Sequence, residues 1–411
     1  MGYQLGTAPS PPTEDGMIAA GLAAHRVTRI VSARPAPAHP ALLAGALDTP
    51  LPGTRTPGLG IEINGWVIPA GGHHIDGVFT VVAGVQGQLQ PLHVPRADVA
   101  RDHPSARSIN AGFSFWCAVP EASNARVQLV SRFSSGELVP LLDLEIAIEQ
   151  VATPEATPGL RAVHAPDFVI AGTQRGGTTS LHAYLREHPN IQTPAKKEIH
   201  YLTDRFERGA EWYLGQFPAA VSVGNLVGEA TPYALFHPLA PQRLRNIAPE
   251  ARIIVLLRNP VDRAYSHYLH ELARGHETLS FEEAIAAEPD RLRGVEEQLA
   301  SGKLLVSDVH KRTSYLERGR YARQLERWFS VFPQDQLLIL RSEDLYANPA
   351  AVTRQVTNFL ELPALSGDVF STHNATAGPP IDARTREMLM SAFAAENARL
   401  ADLLGRDPGW M

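Results

Sequence analysis

The sequence predicts a parallel α/β sheet flanked by helices, of P-loop-like type, preceded by a small all-β, sandwich-like domain. Three observations carry that expectation. From about residue 163 onward, apolar strand-length runs such as 168–171, 252–257 and 336–340 alternate with amphipathic stretches. Between about 58 and 150, short β-like runs are separated by turn residues. The first apolar run of the second half passes directly into Gly172-Thr173-Gln174-Arg175-Gly176-Gly177-Thr178-Thr179-Ser180, a tight turn that opens a helix.

Composition bounds the function. The 411 residues, 44% hydrophobic and 19% charged, suit a globular chain of two domains. A net charge of −6 gives no reason to expect a nucleic-acid partner, whereas an anionic cofactor needs only a local cluster of cations. The single cysteine, Cys117, excludes an intrachain disulfide and a multi-cysteine metal site, and its neighbours Phe113, Phe115 and Trp116 make it a core thiol. His73 and His74 would point to opposite faces of a strand, with no ligand cluster nearby, so no metal is expected. No run of about twenty apolar residues exists, so no transmembrane segment is expected. The start lacks the charged and apolar regions of a signal peptide.

Taken in order, residues 1–55 are rich in alanine and proline and read as an arm or linker, with short apolar pieces at 17–22 and 27–31. Residues 56–150 form the accessory β domain, with runs at 60–68, 78–82, 113–119, 127–133 and 138–148. Residues 151–162, with Pro154 and Pro158, read as a linker. The α/β domain occupies 163–411.

Within that domain the strand–turn–helix at 168–185 has the chemistry of an anion cradle. A helix start leaves backbone N–H groups without partners and carries the positive end of the dipole. Gly176 and Gly177 let the backbone approach a bound anion, Thr178, Thr179 and Ser180 add hydroxyls, and Arg175 adds a fixed charge with several donors. The helix should stop near His188-Pro189, since proline cannot continue it. A Walker A loop needs lysine directly before its hydroxyl residue; Gly172 and Gly177 keep the glycine spacing, but Thr178 stands in the lysine position.

Three later stretches add charge and capping. Lys196-Lys197-Glu198-Ile199-His200 follows the cradle by about twenty residues. Glu229 follows the short apolar run Leu226-Val227. Arg258 ends the strand-like run 252–257, then Asn259 can cap a helix whose first residue is Pro260, and Ser266 lies in its second turn. Arg258 suits bidentate phosphate binding, the alternative being an interdomain salt bridge. Further on, Leu279, Phe281, Ala284 and Ile285 suggest an amphipathic helix, as do Tyr321, Leu325, Trp328 and Phe329.

The cation before the glycine pair resembles the 5′-phosphosulfate loop of sulfotransferases that use 3′-phosphoadenosine 5′-phosphosulfate (PAPS), where lysine usually stands at Arg175. Arg258-Asn259-Pro260-Val261-Asp262-Arg263-Ala264-Tyr265-Ser266 resembles the family's 3′-phosphate motif, and Lys197-Glu198-Ile199-His200 its catalytic segment. The pattern is nearest the heparan-sulfate and bacterial carbohydrate type. The resemblance implies that Arg175, Gly176, Gly177, Thr178, Thr179, Ser180, Arg258 and Ser266 hold PAPS, with Arg320 and Tyr321 bordering the nucleotide. It implies Glu198 as catalytic base, with Lys197 and Arg175 stabilising the transferring group and no metal. Cations around Glu198 weaken it as a base, so His200 stays open as the alternative. The expected reaction moves a sulfonate group to an acceptor hydroxyl on a glycan or small molecule, in the cytoplasm.

Two departures stand out. Relatives that hold acidic sugars commonly have lysine where this chain has Ala230, and a basic glycine loop where it has His373-Asn374. The competing readings are a P-loop kinase and a catalytically degenerate glycan-binding protein.

Overall fold

The computed structural model describes residues 24–104, 110–121, 124–152, 159–365, 370 and 378–410. The chain divides into two compact units, Met1–Glu155 with Glu207–Gly215, and Ala156–Phe206 with Gln216–Met411.

The first unit is built on antiparallel strands β1 (Ala24–Pro35), β2 (Leu42–Thr49), β3 (Arg55–Pro57), β4 (Gly60–Pro69), β5 (Ile75–Val82), β6 (Val85–Gln86), β7 (Gly112–Ala118), β8 (Asn124–Phe133) and β9 (Leu138–Ala152). They form a six-stranded sheet, β3-β1-β9-β8-β5-β6, and a three-stranded sheet, β2-β4-β7. One short helix, α1 (Ala97–Asp102), is added. Alternation explains the pairing. Ile61 and Ile63 on β4, Phe113 and Cys117 on β7, and Leu144 and Ile146 on β9 meet in one apolar core, while Glu62 and Glu145 between them face out.

The expected arm at 1–55 is corrected here. Residues 24–35 and 42–49 are strands, and residues 1–23 lie outside the described residues. β1 pairs with β9 along nearly its whole length, burying Thr28 and Ile30. Proline misled because it ends strands as well as marking linkers: Pro35 closes β1, and Pro37, Pro40, Pro50 and Pro52 fall between or beside the strands.

The second unit opens with β10 (Leu160–Ala162), β11 (Phe168–Gly172), α2 (Thr178–Arg186) and β12 (Ile191–Gln192). Helix α3 (Gly209–Leu214) follows in sequence but belongs to the first unit. Next come β13 (Ala220–Ser222), β14 (Leu226–Ala230), α4 (Ala240–Ile247), β15 (Arg252–Leu257), α5 (Pro260–Ala273), α6 (Phe281–Leu292), α7 (Val295–Ala300), α8 (Asp308–Arg312) and α9 (Tyr321–Phe329). The chain ends through β16 (Leu337–Arg341), α10 (Ser342–Ala347), α11 (Pro349–Phe359) and α12 (Ala383–Leu404).

Five strands form a parallel sheet in the order β12-β14-β11-β15-β16. β11 lies at its centre with all five residues buried, which requires the unbroken apolar run seen in the sequence. After β11 the chain goes to one edge, returns through β14, and then crosses to β15, so the order reverses beside β11. Such a switch point opens a crevice at the carboxyl ends of the strands. The helix punctuation at Asn259 is as expected, the side chain capping α5 by accepting from the N–H groups of Val261 and Asp262; Asn348 caps α11 in the same way, accepting from Ala351.

Candidate active site

Three strand ends supply the site. At the end of β11 the chain turns through residues 173–177 into α2. Arg175 and Gly177 adopt left-handed backbone, φ +69° and +86°, so the turn is tight. At Gly176 an added Cβ would stand 2.8 Å from both the Leu256 carbonyl and the Thr173 methyl, so only glycine fits. The first bond within α2 is Leu181 N–H to the Gly177 carbonyl, leaving the N–H groups before it facing outward from the helix start. Thr178 and Ser180 are buried beside them and Thr179 is half-buried.

The end of β15 brings a second guanidinium to this turn. Arg258 donates from Nη1 to the Arg175 carbonyl at 3.0 Å, and Arg175 donates from Nε to Ser266 Oγ at 3.1 Å. Burial first, then the charges of Arg258 and Arg274, hold Arg175 below the ordinary arginine value. Two cations and a hydroxyl from positions far apart in sequence therefore converge on one helix start, an arrangement that attracts a multiply charged anion. Tyr321 has a different place from the one expected of a nucleotide contact. It is 1% exposed and donates its hydroxyl to the Arg258 carbonyl at 2.8 Å, so it supports the arginine.

The third strand end holds the acid–base groups. Glu198 N–H donates to the Ala230 carbonyl at 3.1 Å, and His200 N–H to Thr231 Oγ1 at 3.4 Å, pinning this loop to the end of β14. Glu198 and His200 both take left-handed backbone, φ +62° and +61°. Such non-glycine conformations cost about 1–3 kcal/mol each and persist where the surroundings over-determine them. The result is a row of charged groups. Lys197 Nζ lies 2.7 Å from Glu198 Oε1, and His200 Nε2 lies 3.5 Å from Glu198 Oε2. On its other side His200 Nδ1 is 3.9 Å from Asp204, which is paired with Lys311 of α8. Burial pushes the Glu198 carboxyl up, but the hydrogen bond from His200 and the charge of Lys197 outweigh it and hold it at about 2.

Asp204, Lys311 and His182 were not among the sequence candidates. Asp204 follows His200 by four residues, a local signal that was available; Lys311 arrives from another helix and had none. His182 is buried in α2 with no partner for Nε2 among the described residues. Burial, followed by the charges of Lys197 and Arg186, lowers it to about 4, so it is neutral at pH 7. Glu229 is 1% exposed and accepts from Thr231 at 2.6 Å, which gives it a structural role. His373 and Asn374 lie outside the described residues.

A parallel α/β unit with a helix-start cradle, two converging arginines and a row of charged side chains defines a class: proteins built to hold a multiply charged anion beside acid–base groups. The family model for the sulfotransferase domain matches residues 165–377, and the chain belongs to that family. The chain is 28% identical over 312 residues to the membrane-associated sulfotransferase kil1 of Dictyostelium discoideum, covering 60% of this chain and 66% of that one. It is 31% identical over 223 residues to the heparan sulfate glucosamine 3-O-sulfotransferase 6 of Mus musculus, covering 54% and 59%. With the human bifunctional heparan sulfate N-deacetylase/N-sulfotransferase 3 it shares 30% identity over 288 residues, covering 60% of this chain and 31% of that one. The chain thus spans less than two thirds of the length of these curated relatives, down to about a third. Among solved structures, a sulfotransferase from Alicyclobacillus acidocaldarius matches with a TM-score of 0.51 at 32% identity, covering 60% of this chain and 98% of that one.

Proposed function

We propose that this protein transfers a sulfonate group from PAPS to an acceptor hydroxyl on a carbohydrate or similar small molecule. The observation that carries the reading is the convergence of Arg175, Arg258 and Ser266 on the start of α2. The cradle fits a phosphosulfate: Gly176 leaves room only for backbone, and the N–H groups and Arg175 supply donors. Arg258 and Ser266 are the residues we assign to the 3′-phosphate. The donor supplies an activated sulfonate on a phosphate leaving group.

The chain's own groups do the rest. Glu198 receives the acceptor proton as the acceptor oxygen attacks sulfur; the S–O bond to phosphate breaks and its electron pair leaves with the phosphate. Arg175, Lys197 and the N–H groups of α2 stabilise the negative charge that grows on the leaving oxygen. Lys197 and His200 keep Glu198 ionised and therefore able to accept. His200, 3.5 Å from Glu198 Oε2 and set toward Asp204 on its other side, fixes the carboxylate for that step.

Ala230, fully buried at the end of β14, leaves no cation where relatives commonly hold an acidic sugar, which supports an acceptor less anionic than heparan sulfate. Thr178, rather than lysine, at the start of α2 speaks against phosphoryl transfer from ATP. Among the described residues no helix is long and apolar enough to cross a membrane. A cytoplasmic location is proposed on the sequence alone, with cell fractionation as its test. The activity test is transfer of radiolabelled sulfonate from PAPS to a panel of neutral and acidic glycans. Labelling that is lost in Glu198→Gln supports the reading; labelling from γ-labelled ATP instead would overturn it.

A further inference from the structure

Helix α10 is tied to both halves of the donor site. Its first residue, Ser342, is fully buried and donates from Oγ to the Gly176 carbonyl at 2.7 Å. Its second, Glu343, accepts from the N–H of Asn259 at 2.8 Å, so the helix also grips the start of α5 just after Arg258. Four residues after Ser342, on the same face of the helix, stands Tyr346. The ring of Tyr346 lies over the turn. A Cβ placed on Gly177 would be 3.2 Å from both its Cε1 and its hydroxyl oxygen, with Leu345 at the same distance beneath. Leu345 is buried, whereas Tyr346 is 49% exposed, so the phenol forms an open wall of the cradle instead of part of the core.

The electrostatics suit a donor at this place. Burial, the larger influence, raises the Tyr346 phenol above its ordinary value, against the lowering effect of Arg258 and Arg175. At neutral pH it therefore keeps its proton. A neutral O–H beside two guanidiniums adds a hydrogen bond to a bound anion without adding repulsion between cations.

We propose that Tyr346 is a donor-binding residue, hydrogen-bonding an oxygen of the phosphate or sulfonate seated on the Gly176–Ser180 turn and shielding that group from water. This rests on the PAPS reading above. It also gives a reason for the half-exposed aromatic at a position where no core packing requires one. Loss of the hydroxyl should weaken the 5′-phosphate contact alone, since the 3′-phosphate is assigned to Arg258 and Ser266.

Titration calorimetry separates the possibilities, with wild type, Tyr346→Phe and Tyr346→Ala each titrated with 3′-phosphoadenosine 5′-phosphate and with adenosine 3′-phosphate. Tyr346→Phe should bind the 5′-phosphorylated ligand roughly tenfold more weakly, and Tyr346→Ala more weakly still. Affinity for adenosine 3′-phosphate should be the same in all three. Melting temperatures of the variants should match wild type, as expected for an exposed side chain. Equal affinity of wild type and Tyr346→Phe for the 5′-phosphorylated ligand would overturn the inference and leave the PAPS reading standing. No binding of that ligand to wild type would overturn both.

Discussion

Glu198 has a carboxyl held at about 2 by His200 and Lys197, well under the usual glutamate value of about 4.3. Because the folded value is the lower one, the stabilisation this group gives is present in full above pH ~4.3 and disappears as pH falls toward 2. Wild type should therefore outlast Glu198→Gln in thermal melts at pH 7, with the difference shrinking below about pH 4. Turnover tests its chemistry separately. Glu198→Gln should lower kcat by about a hundredfold or more while leaving the KM for PAPS nearly unchanged. A Glu198→Gln variant that keeps its rate beside a His200→Asn variant that loses it would instead put the acceptor proton on His200. Lys311 acts one step further out, through Asp204. Lys311→Ala should lower kcat/KM roughly tenfold, the scale of one charged hydrogen bond. The same loss should not add to that of Asp204→Asn in a double-mutant cycle, because both changes break one contact. Full additivity would show that the pair is not coupled to the site.

At the scale of elements, the segment Glu207–Gly215 behaves unlike its neighbours in sequence. It lies within the span matched by the sulfotransferase domain model, yet it packs in the β unit. The Arg208 guanidinium sits between two indoles, 4.8 Å from the Trp116 ring centre and 4.7 Å from that of Trp212, and reaches Glu62 at 3.3 Å. Arg26 meets Glu211 through Nε, 2.9 Å from each carboxylate oxygen. Arg208→Ala should destabilise the β unit by about 1–2 kcal/mol through lost cation–π contact and packing. Affinity for 3′-phosphoadenosine 5′-phosphate should stay as it was. Calorimetric melting with and without that ligand measures both, and a variant that melts like wild type would contradict the clamp. This segment also marks where sequence reading stops. The cradle, the Asn259 and Asn348 caps and the buried strands β11 and β15 were legible because each depends on residues adjacent in sequence. The Arg208–Trp116 contact, the Lys311–Asp204 pair and the support Tyr321 gives to Arg258 join residues roughly sixty to a hundred apart, and no local pattern announces them. Strand β1 failed for another reason. Its alternating Thr28 and Ile30 were present, but the surrounding prolines outweighed them.

For the molecule as a whole, the central claim is that two arginines from separate strand ends form one binding site for a nucleotide with phosphates at both 3′ and 5′ positions. The match to the sulfotransferase domain model establishes the family, while the assignment of Arg258 and Ser266 to the 3′-phosphate is a proposal about this chain's own residues. The most direct measurement is titration of the full chain with 3′-phosphoadenosine 5′-phosphate and, separately, with ADP, repeated on Arg258→Ala. The account predicts tight binding of the first, weak binding of ADP, and loss of that preference in Arg258→Ala, since removing one charge-assisted bidentate contact costs about 1.5–3 kcal/mol or more. Equal affinity for the two nucleotides, or an Arg258→Ala variant that still discriminates between them, would contradict it.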